Sequence, residues 1–444
     1  MSAELTPVFG LNAQWVASTI LIIVYVILFS EKINRAVVAL LGACFMIFAG
    51  ILTQKQALAG IDFNTLSLLI GMMIIVGISE RSGVFKFLAI LAVQKAHADP
   101  KSLLVVLAFI TAMFSAVLDN VTTVLLIVPV TIQITHRLNI PTYPYLILEI
   151  FSSNIGGTAT LIGDPPNILI GSAIDLSFMD FVNELTPVVI ITMVCLIGAF
   201  YLVYRKQLCT TPRNRVLIMK INAFESVTDW KLLKQSISVL FLVIAGFILA
   251  EHIHLTNGTI AIFGAALLML IHTFGRPHTE RDDIVENIFD LVDWTTIFFF
   301  AGLFALVCGL EHSGILKILG HHFSQMTDGS VEKATMLIVW VSALVSSAID
   351  NIPFVATMIP LVKTMEADMG GREAMMPVWW ALSLGSCFGG NGSLIAASAN
   401  VIVAGLSQKE GHPIHFMKFL IWSIPVTLGS VGISALYLHI RHFM

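Results

Sequence analysis

Four short segments concentrate the side chains that could do chemistry. Two carry Asp-Asn: SAVLDNVTTVLLIVP, with Asp119, Asn120 and Thr122, and SSAIDNIPFVATMIP, with Asp350 and Asn351. Two are rich in Gly and Asn: SSNIGGTATLIGDPPN, with Asn154, Thr158, Thr160, Asp164 and Asn167, and GSCFGGNGSLIAASAN, with Asn391, Ser393 and Asn400. Each lies inside apolar sequence, where such groups are costly unless they pair with one another or line a site. A helix broken there exposes N–H groups at one end and carbonyls at the other, so it can hold an oxyanion or hydroxyl beside a cation. That chemistry calls for no cofactor and no resident metal.

The amides and hydroxyls, Asn120, Thr122, Asn154, Thr158, Thr160, Asn167, Asn351, Asn391, Ser393 and Asn400, are the expected substrate-binding groups. The bland alternative is interhelical bonding at kinks. No Lys or Arg stands among them, and a multivalent carboxylate would usually call for one. The lining therefore favours a small neutral or weakly charged polyhydroxy solute or a metal ion. Three carboxylates are the expected carriers of a coupling proton or cation: Asp119, Asp164 and Asp350. Asp119 and Asp350 could equally cap the helix that follows each. Asp164 has no acidic counterpart in the second half, where Ala397 stands, so capping symmetry does not account for it. Glu149 reads as a buried bond partner and Cys387 as an inert thiol, with a soft ligand for trivalent arsenic as the sharper alternative.

These groups sit in a chain of 444 residues that is 57% hydrophobic and only 12% charged. Ten apolar runs long enough to cross a bilayer are expected, at 15–31, 34–53, 64–80, 144–173, 183–204, 234–251, 257–274, 294–311, 376–405 and 417–440. The segments 101–137 and 332–363 carry Asp-Asn at their centres and read as hairpins that enter the membrane and return. Within the spans, 144–173 and 376–405 read as broken helices.

An internal repeat sets the architecture. Residues 61–86 align with 292–317, pairing Asp62 with Asp293, Gly71 with Gly302 and Glu80 with Glu311, each 231 positions on. The same offset pairs Asp119 with Asp350 and Asn120 with Asn351, and an offset of 233 pairs Gly156 with Gly389 and Asn167 with Asn400. Each half then holds five spans and one re-entrant hairpin, and an odd number of spans turns the second half over. The expected fold is an all-α polytopic membrane protein of two inverted repeats, 1–204 and 234–444, joined by a linker at 205–233. The linker's basic stretch RKQLCTTPRNRVLIMK should be cytoplasmic, with Lys32 and Arg35 on the same side and both termini periplasmic. The acidic N-terminus and the lack of a small-residue cleavage site argue against a removed signal peptide.

Composition excludes several classes. A net charge of -4, scattered along the chain, gives no basic surface for nucleic acid, and the five cysteines show no metal spacing. No His pairs with a carboxylate or Ser inside a span, so an enzyme is not expected. The partner is the lipid bilayer.

SAVLDNVTTVLLIVPVTI, NIGGTATLIGDPPNILI, VSALVSSAIDNIPFVATMIP and GGNGSLIAASANVIVAG together resemble the ion transporter superfamily, in the branch of bacterial arsenite permeases and the melanosomal P protein. The resemblance implies an elevator mechanism, in which hairpins and broken helices carry solute past a scaffold that also forms a homodimer. It implies that Asn120, Thr122, Thr158, Asn167, Asn351, Asn391, Ser393 and Asn400 line the site. Dicarboxylate transporters of the superfamily place Ser-Asn-Thr at the hairpin tips. Here Asp119-Asn120 and Asp350-Asn351 stand there, which disfavours sodium-dicarboxylate symport and favours proton coupling. The resulting expectation is proton-coupled efflux of arsenite and antimonite across the cell inner membrane, with a soluble ATPase as the partner known for such permeases. Sodium-proton antiport, or anion or carboxylate transport, is the alternative.

Overall fold

The computed structural model describes residues 10–30, 32–366 and 368–444, which fold into α-helices with no strand among the described residues. The first half runs α1 (Ala13–Ser30), α2 (Arg35–Phe48), α3 (Gln54–Ala59), α4 (Phe63–Arg81), α5 (Val84–Lys95), α6 (Pro100–Ser115), α7 (Asn120–Leu138), α8 (Tyr143–Gly157), α9 (Pro165–Ala173) and α10 (Phe178–Tyr204). The connection holds α11 (Pro212–Met219) and a 3₁₀ turn at Ala223–Ser226. The second half repeats the order: α12 (Trp230–Ile253), α13 (Asn257–Thr273), α14 (His278–Phe289), α15 (Trp294–Ser313), α16 (Ile315–Met326), α17 (Val331–Ala348), α18 (Asn351–Glu366), α19 (Met376–Gly389), α20 (Ser398–Lys409) and α21 (Phe416–Phe443).

Eight of these helices are long and apolar enough to cross a membrane. Side chains such as Phe48, Phe109, Val194, Phe241, Phe263 and Ile421 point outward, a surface suited to lipid rather than water. The chain is thus a multi-pass membrane protein. Both hairpins break where Asp-Asn stands, between α6 and α7 and between α17 and α18. The segments read as broken spans do break, α8 giving way to α9 and α19 to α20. The expected run 34–53 ends early, because Gly50, with φ +72°, turns the chain into the short α3. Sequence patterning did not resolve α11 and α14, whose exposed polar faces carry little periodic signal.

Helix starts follow from capping. Asp62 accepts from the N–H groups of Asn64 and Thr65 to open α4, and Asp293 accepts from Thr296 N–H to open α15, one device at two repeat-related places. At the start of α12, the N–H groups of Leu232 and Lys231 hold the Asp229 carboxyl below its usual range.

Packing also recurs with exchange. α4 crosses α13 where Gly71 meets Ala261, and α15 crosses α2 where Gly302 meets Ala39, so each half supplies one helix to each pair. In the same way α7 packs on α20 and α18 on α9. Within each half, α6 lies on α8 and α17 on α19. Every residue of α8 after Tyr143, and every residue of α19 after Met376, is buried, so these two helices form the centre.

The glycine crossings leave no room for a side chain. A Cβ on Gly302 would sit 2.7 Å from the Ala39 carbonyl carbon, and one on Gly71 2.5 Å from that of Ala261. Gly71→Val and Gly302→Val should each cost about 1–3 kcal/mol through overpacking, read as a lower Tm of the detergent-purified protein. Gly198→Ala, with nothing within 4 Å, should leave Tm unchanged or raised.

Candidate functional site

The site grows from the breaks. At the first hairpin tip Asp119 receives Thr122 N–H at 2.7 Å and Thr122 Oγ1–H at 2.6 Å, so this acid does cap α7. At the second tip Asp350 accepts from Ile352 N–H at 3.2 Å. The hairpins are tied to the broken helices by matching bonds: Ser115 donates to Ser153 O at 2.6 Å, and Ser346 to Ser386 O at 2.7 Å. Thr160 donates to Ala116 O at 2.5 Å, and Ser393 to Ser347 O at 2.7 Å.

Each broken helix is satisfied from beyond its own break. Asn167, on α9, donates to the Thr158 and Thr160 carbonyls at 3.1 and 2.9 Å. Asn400, on α20, donates to the Gly390 and Ser393 carbonyls at 2.7 and 2.9 Å. Ser383 then donates to Asn167 Oδ1 at 2.6 Å, linking α19 to α9. Asn154 completes the centre, donating to Asn391 Oδ1 and Asn400 Oδ1 at 3.0 Å each and accepting from Asn120 at 3.4 Å. These bonds offset the cost of burying the freed peptide groups.

The expected substrate-binding residues therefore divide into two tiers. Asn120, Thr122 and Asn351 face a cavity of about 530 Å³ between the hairpin tips. Asn154, Thr158, Thr160, Asn167, Asn391, Ser393 and Asn400 lie behind that lining, engaged with backbone or with one another. Among the described residues the Asn391 Nδ2 group is buried without a partner.

All three acids line the cavity, but only one is unspent. Asp164 stands at the N-cap of α9 with φ -143° and ψ 132°, and Ala397 holds the same place before α20 at φ -143° and ψ 141°. The backbone needs no carboxyl there, and Asp164 makes no capping bond. It is 1% exposed, and neither carboxyl oxygen has a hydrogen-bond partner among the described residues. A buried carboxyl beside a cavity, with the Cys387 thiol and the Asn351 amide as neighbours and, among the described residues, no cation against it, is costly as an anion.

One expectation is overturned. The cavity does contain a cation, Arg35, which patterning assigned to a cytoplasmic loop. Its guanidinium lies 3.7 Å from Asp350 and 3.8 Å from Asp293, and donates to Thr296 Oγ1 at 2.7 Å and Ser398 Oγ at 3.3 Å. The Phe299 ring stands 5.4 Å away. A counting rule treats any Arg near a span as a topology signal. A physical hint was present all the same: Arg35 is the first residue of α2, where the helix dipole disfavours a cation unless carboxylates answer it. Asp293 and Thr296 were missed for a similar reason, because they lie outside the four polar clusters, whereas Ser398 stands inside the fourth and was passed over in favour of Ser393 and Asn400.

Two further groups fall where patterning put them. Glu149 is buried and accepts from Thr131 Oγ1 at 2.5 Å, away from the cavity. Cys387 is buried, with its thiol 3.6 Å from Asn167 Oδ1.

Known proteins resemble this chain in sequence and in fold. Residues 25–385 match the family described as CitMHS, citrate transporter. An uncharacterized transporter of Mycobacterium bovis is 40% identical over 434 residues, 97% of this chain and 99% of that protein. The P protein of Mus musculus is 34% identical over 97% of this chain, which spans 60% of the P protein's length. Among solved structures, the YdaH transporter of Alcanivorax borkumensis shares the fold at a TM-score of 0.59 and 14% identity, over 97% of this chain and 98% of that one. MtrF of Neisseria gonorrhoeae does so at 0.58 and 12%, over 99% and 97%. The chain belongs to the CitMHS citrate transporter family within the ion transporter superfamily, and is a membrane transporter, not an enzyme.

Proposed function

We propose that this protein is a proton-coupled secondary transporter of a small carboxylate-bearing anion, with Asp164 carrying the coupling proton and Arg35 supplying the positive charge that meets the solute. The observation that carries the reading is the pairing, in one cavity, of an unpartnered carboxyl with a single guanidinium. A protonated Asp164 tolerates its burial; an anionic solute beside Arg35 is compensated where it would otherwise be repelled by Asp119, Asp293 and Asp350. The cavity's volume of about 530 Å³ suits an organic acid.

In this reading the halves 1–204 and 234–444 are inverted across the inner membrane, with both termini periplasmic. The hairpins and broken helices move as an elevator against α2, α4, α13 and α15, and the scaffold carries a dimer contact. The division of labour that supports it is the buried amide network joining both broken helices into one unit, while α2 with α15 and α4 with α13 pack through glycine.

A second reading, efflux of arsenite and antimonite as neutral trihydroxides in exchange for protons, draws on the neutral groups Asn120, Thr122 and Asn351 in the lining. The two differ in what they ask of Arg35. Purified protein in proteoliposomes, given citrate, arsenite or sodium under an imposed pH gradient, separates them. The carboxylate reading expects saturable citrate flux whose KM rises about tenfold or more in Arg35→Gln, the scale of one lost charge-assisted bond. Arsenite flux indifferent to Arg35→Gln selects the second reading, and a response to sodium alone selects cation-proton exchange. In either proton-coupled case Asp164→Asn should abolish pH-driven accumulation while leaving solute counterflow. Accumulation that survives Asp164→Asn contradicts the proposal.

Asn154→Ala should behave differently from Asp164→Asn. It strips partners from Asn391 and Asn400, so Tm should fall with a cost of about 1–3 kcal/mol for each group left unpaired. Asp164→Asn should leave Tm unchanged or raised.

A further inference from the structure

Resting on the carboxylate reading above, we propose that the Arg35–Asp350 pair is a one-sided latch: it holds the cavity open toward Arg35, the mirrored arrangement has no equivalent, and a carboxylate solute releases it by replacing Asp350 on the guanidinium.

Arg35 bridges two bodies of the protein. It rises from α2 and is held at the start of α15 by Asp293 and Thr296, while its other contacts, Asp350 and Ser398, belong to the second hairpin tip and to α20. Tyr25 of α1 crosses the same seam, its hydroxyl donating to Pro353 O at 2.7 Å. The pair therefore resists any movement of the second tip away from α2.

The duplication gives an internal control. Ala39 and Ala261 occupy matching places against Gly302 and Gly71, and by that register Arg35 corresponds to Asn257, the first residue of α13 as Arg35 is of α2. The other members of the cluster keep their acids: Asp293 corresponds to Asp62, Thr296 to Thr65 and Asp350 to Asp119. The mirrored cluster thus has two carboxylates and no cation. Among the described residues the Asn257 Oδ1 is buried and unpartnered, and neither Asp62 nor Asp119 is within ion-pair distance of Lys, Arg or His. When the hairpin tips exchange roles, Asp119 gains no Arg. The empty protein is biased toward the arrangement seen here.

The bias must be modest for transport to proceed, and it is. Arg35 is 30% exposed and Asp350 29%, with separations near the limit of an ion pair rather than of a close bidentate bond. Such a pair shifts two arrangements by up to about fivefold. A solute carboxylate can meet the guanidinium side-on through two N–H donors, a geometry Asp350 does not achieve, and so compete with it.

The test uses full-length protein in nanodiscs, where both faces are open to reagent, with native cysteines replaced and one reporter cysteine at a time labelled by a membrane-impermeant maleimide. L125C reports the present cavity, which Leu125 lines; A356C, its repeat mate, is 4% exposed now and should open in the mirrored arrangement. Without solute, R35Q and D350N should each slow L125C labelling and speed A356C labelling by about two- to fivefold. R35N/N257R, which moves the cation to the other half, should favour A356C at least as strongly. Citrate should speed A356C labelling in the parent and leave R35Q unchanged. Labelling that is the same in all variants without solute overturns the latch, whatever the substrate. Variants that shift as expected while citrate changes nothing leave the latch standing and overturn its release by carboxylate, and with it the carboxylate reading.

Discussion

Everything in this fold answers to one constraint: peptide groups freed by helix breaks within an apolar chain need hydrogen-bond partners from other segments. Asn167 and Asn400 each reach back across a break to two carbonyls, and Ser115 and Ser346 each bind a carbonyl of the neighbouring broken helix. Because these bonds run between segments, the breaks cannot be satisfied one at a time. The hairpins and broken helices are therefore obliged to assemble together, and the amide contacts of Asn154 join the two halves at their centre.

That solution leaves a residue of unsatisfied chemistry, and the residue is the site. Once the amides have served the backbone, what still faces open space is Asp164, the capped acids Asp119 and Asp350, a few neutral groups at the tips, and Arg35. Asp164 differs from its repeat mate Ala397 without any difference in backbone conformation, so the carboxyl is free of structural duty. Arg35 likewise has a neutral repeat mate, Asn257, at the first position of α13. The halves share a frame that is duplicated and diverge at two charged positions, which is where the proposed coupling and solute recognition lie.

Much of the fold was legible because duplication and hydropathy are both long-range patterns. The offset that pairs Asp62 with Asp293 and Asp119 with Asp350 predicted repeat-related positions; the first pair caps matching helices, a role the sequence reading did not assign, and the second stands at the two hairpin tips. The four polar clusters do meet. What composition could not reveal is which amides are used up: Asn154, Asn167, Asn391 and Asn400 look the same in sequence as Asn120 and Asn351, and only the partner across each break separates them. Arg35 was misread because its role depends on Asp350, more than three hundred residues away. Its place in the cavity is what moves the proposed solute from a neutral one toward an anion.

The central claim is that binding a solute in this cavity changes the protonation of one buried carboxyl. Proton release or uptake by the detergent-purified protein, followed with a pH indicator in weak buffer as citrate or arsenite is added, measures that directly. The account predicts a saturable, solute-dependent proton signal in the parent that vanishes in Asp164→Asn although the solute still binds. An identical signal in both proteins, or none in the parent at saturating solute, would contradict it.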